Sequence, residues 1–137
     1  MILLVYNYTV MKTRLMIFAL LLVSSLCVAQ AKGKKDVVYI FGASISVTDS
    51  VVYFTEIQEI EGVKLEKGNL PHRQYYSYEL KDYMSFKENL PGRTSVIYFS
   101  EKRSTLEKKE MKIKERLVER ERKTVLYLGD KFSFVKP

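Results

Sequence analysis

Apolar side chains recur at every second position in Tyr39, Phe41, Ala43, Ile45 and Val47. This spacing lines one face of a β-strand, predicted to run from Asp36 to Thr48. The opposite face begins apolar at Val38 and Ile40 and turns polar at Ser44, Ser46 and Thr48, so the first half of the strand is expected to be buried on both sides. Asp49-Ser50 offers a two-residue turn into a second apolar segment, Val51 to Ile60, and together these predict an antiparallel pair. Glu61 to Gly68 is charged and punctuated by glycine, the pattern of a surface loop.

The period then lengthens. Proline is favoured in a first helical turn, so Pro71 predicts a helix entered at Asn69 or Leu70 and running to about Lys87. At ~100° per residue Tyr76, Leu80, Tyr83 and Met84 share one side, with Phe86 and Tyr75 flanking, and that side should face the sheet. Asn89-Leu90-Pro91-Gly92 ends it. Thr94 to Ser100 (TSVIYFS) has no polar face and reads as a central strand. Ser104 and Glu107 have the spacing of a capping box, opening a second helix that should reach about Arg122. Leu106, Ile113 and Leu117 form its main apolar seam, and Met111 and Val118 a looser second one. Thr124 to Leu128 predicts another strand, Gly129-Asp130 a turn or bulge, and Phe132, Phe134 and Val135 a terminal strand or strand extension. The resulting order, β-β-α-β-α-β, predicts an α+β domain with a mixed sheet of four to five strands and two helices. Its strand-helix-strand unit, Thr94 to Leu128, should have a right-handed crossover and parallel strands.

Ahead of this domain, Lys12 and Arg14 precede the apolar run Leu15 to Val23 and then Ser24-Ser25-Leu26-Cys27-Val28-Ala29-Gln30-Ala31. A cationic start, a short apolar core and an A-x-A triplet are the parts of a secretory signal peptide. The about 15 residues from Leu15 to Ala29 fall short of the roughly 20 that a spanning helix needs. Lipid attachment at Cys27 is disfavoured because Leu26 stands where a small residue should. Residues 1–31 therefore read as a cleaved leader, with Met11 an alternative start, and residues 32–137 as one small domain, exported to the periplasm or beyond. Loss of Lys12 and Arg14 lowers the formal charge from +7 to +5, which is mildly basic. The only cysteine leaves with the leader, so no disulfide can form and packing must supply stability.

The segments VVYIFGASISVTDSVVYFTEIQEI, YSYELKDYM, RTSVIYF and LEKKEMKIKERL resemble small exported proteins of gut-type anaerobic, Bacteroidetes-like bacteria that carry no assigned function. The resemblance covers nearly the whole mature chain. It implies export and a shared fold, and it brings no active site with it.

The chain holds a single histidine, His72, and has no G-x-S-x-G elbow, phosphate-cradling glycine loop or H-E-x-x-H, so the usual nucleophile, base and metal constellations lack their parts. One histidine makes no metal site, and no cofactor is expected. Asp36, Asp49, Asp82 and Asp130 are the acids from which a glycosidase-like pair could be drawn. They support the alternative of a small carboxylate-dependent hydrolase of cell-wall or dietary glycans. Asp49 and Asp130 equally suit turns, and Asp82 a helix surface. Tyr75, Tyr76, Tyr78 and Tyr83 could stack on sugars or bases, but Tyr76 and Tyr83 fall with Leu80 on the core side and only Tyr78 points clearly away.

Lys109, Lys112, Arg116, Arg120 and Lys123 fall within roughly a quarter of the second helix's circumference, a sector that none of Glu107, Glu110, Glu115, Glu119 and Glu121 enters. Such a stripe suits an anionic polysaccharide, lipid headgroups or an acidic protein; nucleic acid fits the charge but not the export. A solvated helix face also needs charge, and Glu110 with Lys114 and Glu119 with Lys123 are ordinary i,i+4 pairs. The expected function is an exported non-catalytic binding or accessory domain, with this stripe as its contact surface. A third possibility is assembly through a bare sheet edge.

Overall fold

The computed structural model describes residues 2–14 and 35–137. Residues 2–14 are helical and belong to a different compact unit from Lys35–Pro137. Among the described residues no helix is long and apolar enough to cross a membrane. The apolar run Leu15 to Val23 read as the core of a leader, Cys27 and the Ala29-Gln30-Ala31 triplet lie outside the described residues.

The second unit follows the order β1 (Val37–Ile45), β2 (Val51–Phe54), β3 (Gln58–Glu61), α1 (Arg73–Phe86), β4 (Thr94–Ser100), α2 (Arg103–Glu115), a π-helical turn (Arg116–Arg120), β5 (Thr124–Tyr127) and a 3-10 turn (Gly129–Lys131). It is an α+β fold with a mixed five-stranded sheet. β1 is its axis. β4 lies antiparallel along one edge, from Tyr39 opposite Ser100 to Ile45 opposite Thr94. On the other edge β3 pairs with the first part of β1 and β2 with the second, both antiparallel, and β5 adds to β2 in parallel. β4 and β5 therefore run in the same direction, as the strand-helix-strand unit predicts, but with β1 and β2 between them.

Both faces of β1 are covered. Val38 and Ile40 pack with Tyr76, Leu80 and Met84 of α1 and with Phe132 and Phe134 of the C-terminal tail. Phe41 and Ala43 pack with Leu106 and Ile113 of α2 and Leu117 of the π turn. The two helices thus sit on opposite faces of the sheet, and even Ser44 is fully buried.

The single strand expected from Val51 to Ile60 is broken by a β-bulge. Three steps along β1, Ile40 to Ala43, face four along the neighbouring chain, Gln58 to Phe54. Thr55 fills the gap: its N–H donates to the Gly42 carbonyl and its Oγ1 accepts from the Gly42 N–H, both at 2.9 Å. Gly42 itself is a close-approach glycine. A Cβ there would stand 2.5 Å from Leu80 Cδ2 and 3.2 Å from Phe134 Cζ, so its bare backbone is what lets α1 and the tail close on the sheet.

Other boundaries move for identifiable reasons. β1 stops at Ile45 and Val47 is exposed, because residues 46–50 form a five-residue connection in which Asp49 Oδ1 accepts the Val51 N–H at 3.0 Å. α1 begins at Arg73 rather than Asn69 or Leu70: Glu66 and Asn69 exchange backbone bonds, and His72 takes a left-handed conformation (φ 56°) ahead of the first turn. Phe86, expected to flank the core, is 78% exposed. The capping box does not form. Lys102 is the N-cap, Ser104 lies inside α2, and Glu107 instead meets Arg103 at 3.1 Å. α-Helical bonding ends at Glu115 and the π turn at Arg120, short of Arg122. Met111 and Val118 point to solvent, so only the Leu106, Ile113 and Leu117 seam docks. The terminal strand is absent; Phe132 and Phe134 are buried in an irregular tail held by Gln58, whose amide contacts the Phe132 carbonyl (3.4 Å) and the Phe134 N–H (2.7 Å). Glu79 accepts the Val135 N–H at 3.0 Å.

β4 is an edge strand, not the central strand its apolar run predicts. Helices on both faces give it that composition. Two of its outer carbonyls are occupied from α1, where Arg73 Nη2 donates to Ile97 (2.9 Å) and Ser77 Oγ to Ser95 (3.0 Å). Those bonds compete with strand addition along β4, while β5 forms the opposite edge of the sheet.

Because Leu80, Phe134 and Ile97 converge on the Gly42 Cα, Gly42→Ala is expected to cost about 1–3 kcal/mol through overpacking. Urea unfolding measures it, and an unchanged midpoint would show that the Leu80 side chain yields freely.

Candidate functional site

α2 docks by one narrow seam, so most of its circumference faces water. On the flank beside that seam, Lys109, Lys112, Arg116 and Arg120 line a shallow depression of about 410 Å³ together with the buried Ile113. Four of the five residues of the stripe are therefore brought together. Lys123 is not among them: past Arg120 the helix ends, Arg122 turns into the left-handed region (φ 56°), and Lys123 Nζ donates to the Asp49 carbonyl at 3.2 Å. Helical phase stops being a guide where the helix stops.

Within the depression the cations are differently engaged. Lys109 Nζ lies 5.4 Å from the centroid of the Tyr98 ring, a cation–π contact that spreads the ammonium over the β4 side chain. Arg116 Nε is 3.6 Å from Glu121 Oε1, both side chains about half exposed, a pair worth at most a fraction of a kcal/mol in water. Glu115 and Glu119 line the same depression. By helical phase they stand farther from the Leu106, Ile113 and Leu117 seam than the four cations do. The site is a cationic flank bordered by an acidic crest.

A second polar cluster escaped the sequence reading altogether. Arg93, just ahead of β4, is only 4% exposed. Its Nε donates to Ser44 Oγ (3.0 Å), Nη1 to Asp49 Oδ2 (2.8 Å), and Nη2 to the carbonyls of Ser44 (3.0 Å) and Val51. The guanidinium also lies 5.0 Å from the Tyr53 ring centroid. Asp49 is held below the usual carboxylate range by the Val51 N–H and then by the Arg93 charge, against an opposing push from burial. With its donors directed at three segments of the sheet, Arg93 fastens the β1–β2 connection to β4. Its sequence neighbourhood, a glycine followed by an apolar strand, looks the same for a solvated arginine.

The remaining candidates scatter. Asp36 precedes β1, Asp49 belongs to the Arg93 cluster, Asp82 lies on α1 and Asp130 in the 3-10 turn. Glu79 and Asp82 line one depression of about 710 Å³. They stand one turn apart on α1. His72 is exposed beside a separate depression of about 380 Å³ that Lys64, Glu66 and Lys136 also line. Tyr76 is buried, while Tyr83 donates to Glu88 Oε1 at 2.7 Å, its phenol pushed up to about 12 by burial and then by that carboxylate. Tyr75 and Tyr78 are exposed. Among the described residues no three His, Cys, Asp or Glu side chains group as metal ligands. No protein family, curated protein or solved structure matches the chain.

The Asp49 pair gives a signed pH dependence. Its folded value lies below the ordinary 3.8, so its contribution is complete above that pH and is lost as pH falls through the folded value. Asp49→Asn should lower the melting temperature at pH 6, with the gap to wild type closing in more acidic buffer. A gap of constant size at every pH would show that the charge contributes nothing.

Proposed function

We propose that this chain is an exported, non-catalytic binding or accessory domain, and that it contacts an anionic component of the cell envelope through the cationic flank of α2. The observation that carries this reading is the convergence of Lys109, Lys112, Arg116 and Arg120 on one depression. Lys112 and Arg120 have no acidic partner within ion-pair distance among the described residues, so their charges are available to a ligand. The leader-like segment from Lys12 to Ala31 supports export.

Each exposed charge pair is worth about 0.2–1 kcal/mol, so affinity through this surface requires several pairs at once. It must also fade with salt, since the screening length shrinks to ~3 Å at 1 M. The protein should be retained on an anionic envelope fraction at low ionic strength and released at high. Lys112→Ser, Arg116→Ser and Arg120→Ser together should abolish retention while circular dichroism shows the fold intact. Removing the same charge elsewhere, with Lys64→Ser, Lys67→Ser and Lys81→Ser, should leave most of it. Equal loss in both triple variants, or in neither, would overturn the assignment to α2.

A further inference from the structure

The arrangement of acids around the stripe narrows the ligand class, on the reading that the stripe binds at all. We propose that the α2 flank takes a linear acidic polysaccharide and not the surface of an anionic bilayer.

The cations do not occupy the part of α2 that projects farthest from the sheet. By helical phase they lie between the buried seam and the crest, while Glu115 and Glu119 stand on the crest side of the same depression, each three residues beyond a stripe cation, Lys112 or Arg116; Lys108 shares their phase but lies about two turns or more away along the axis. A flat anionic surface approaching the helix over this depression meets the crest first, where Glu115 and Glu119 outnumber Lys108, before it reaches Lys112 or Arg116. A single polymer chain has no such constraint, because it can enter from the side and lie along the flank.

Membrane association of a helix also draws on apolar side chains that sink below the headgroups. Here the exposed apolar residues of the helix, Met111 and Val118, lie on the opposite flank from the stripe, and Ile113 within the depression is buried. The cationic surface has charge without a wedge.

Lys109 to Arg120 spans 11 residue steps, roughly 16 Å of helix at 1.5 Å per residue. A ligand that engages all four cations must carry several negative charges spaced over that length, which a polymer with a repeating acidic unit supplies. Lysine and arginine pair readily with carboxylates, and the arginines can do so with two parallel hydrogen bonds. Single-stranded nucleic acid, the other flexible polyanion, gains much of its affinity from bases stacked on open aromatic faces. The aromatic ring beside this stripe, Tyr98, already has Lys109 over it.

The test compares the full chain's binding to polygalacturonate, to phosphatidylserine–phosphatidylcholine vesicles and to a single-stranded oligonucleotide. All are matched for anionic groups at low salt. Polygalacturonate is expected to bind about tenfold more tightly per anionic group than either competitor, and the Lys112→Ser, Arg116→Ser, Arg120→Ser variant to lose about tenfold of that. Glu115→Gln with Glu119→Gln should raise vesicle binding several-fold and change polymer binding less than twofold. Vesicles or oligonucleotide binding as tightly as the polymer, or vesicle binding unmoved by the glutamine pair, would overturn this inference and leave envelope binding standing. Retention on the envelope fraction without any binding of polygalacturonate would do the same. Failure to bind any of them, the envelope fraction included, would instead remove the parent reading.

Discussion

The fold hangs on β1, a strand with no free surface. Its edges are paired to β4 on one side and to β3 and β2 on the other. Its faces are sealed by α1 with the C-terminal tail and by α2. Nine residues cannot be closed in on four sides without local concessions, and each irregularity nearby is one of them. Gly42 gives up its side chain so that Leu80 and Phe134 can close down. Thr55 lends a hydroxyl where the bulge takes a backbone acceptor out of register. Ser44, fully buried in a strand that should be apolar there, is tolerated because Arg93 donates to both its hydroxyl and its carbonyl. Without a disulfide in the described unit, these matched contacts carry the stability that packing alone must provide.

Arg93 shows how a buried charge can be structural. Its guanidinium meets a hydroxyl, two carbonyls and one carboxylate, so the desolvation cost of burial is offset by several charge-assisted bonds. The Asp49 end of the cluster is still partly open to water, and the Val51 N–H and the Arg93 charge favour its ionised form and give the arrangement its acid sensitivity. The same cluster draws in Lys123 through the Asp49 carbonyl. One structural clamp thereby removes a cation from the stripe that periodicity had assembled.

What the sequence makes legible and what it hides divide along one line. Patterns set by a residue's own element survive: the double-sided burial of Val38 and Ile40, and the Tyr76, Leu80 and Met84 side of α1. Patterns that depend on what a neighbouring element covers do not. β4 looks central because helices lie on both its faces, and hydropathy cannot tell a second helix from a second strand. Ser104 and Glu107 have capping-box spacing, yet Ser100 Oγ accepts the Lys102 N–H and the helix starts two residues too early for the box to close. The stripe was legible up to Arg120 because it needs only helical phase. The departure of Lys123 needed the end of the helix to be known.

The two helices differ in how their polar side chains are engaged, and that difference bears on where function can reside. On α1, Arg73 and Ser77 hold the β4 edge, Glu79 holds the tail and Tyr83 holds Glu88. Changing any of these alters the fold, so selection for binding could not act on them freely. On α2, Lys109 and Lys114 rest over Tyr98 and Tyr127. The ion pairs of α2 and its π turn, Arg103 with Glu107 and Arg116 with Glu121, are local and exposed. Three apolar residues suffice to dock it. A helix whose charged side chains make mostly local, exposed pairs can change its charges at little cost in stability.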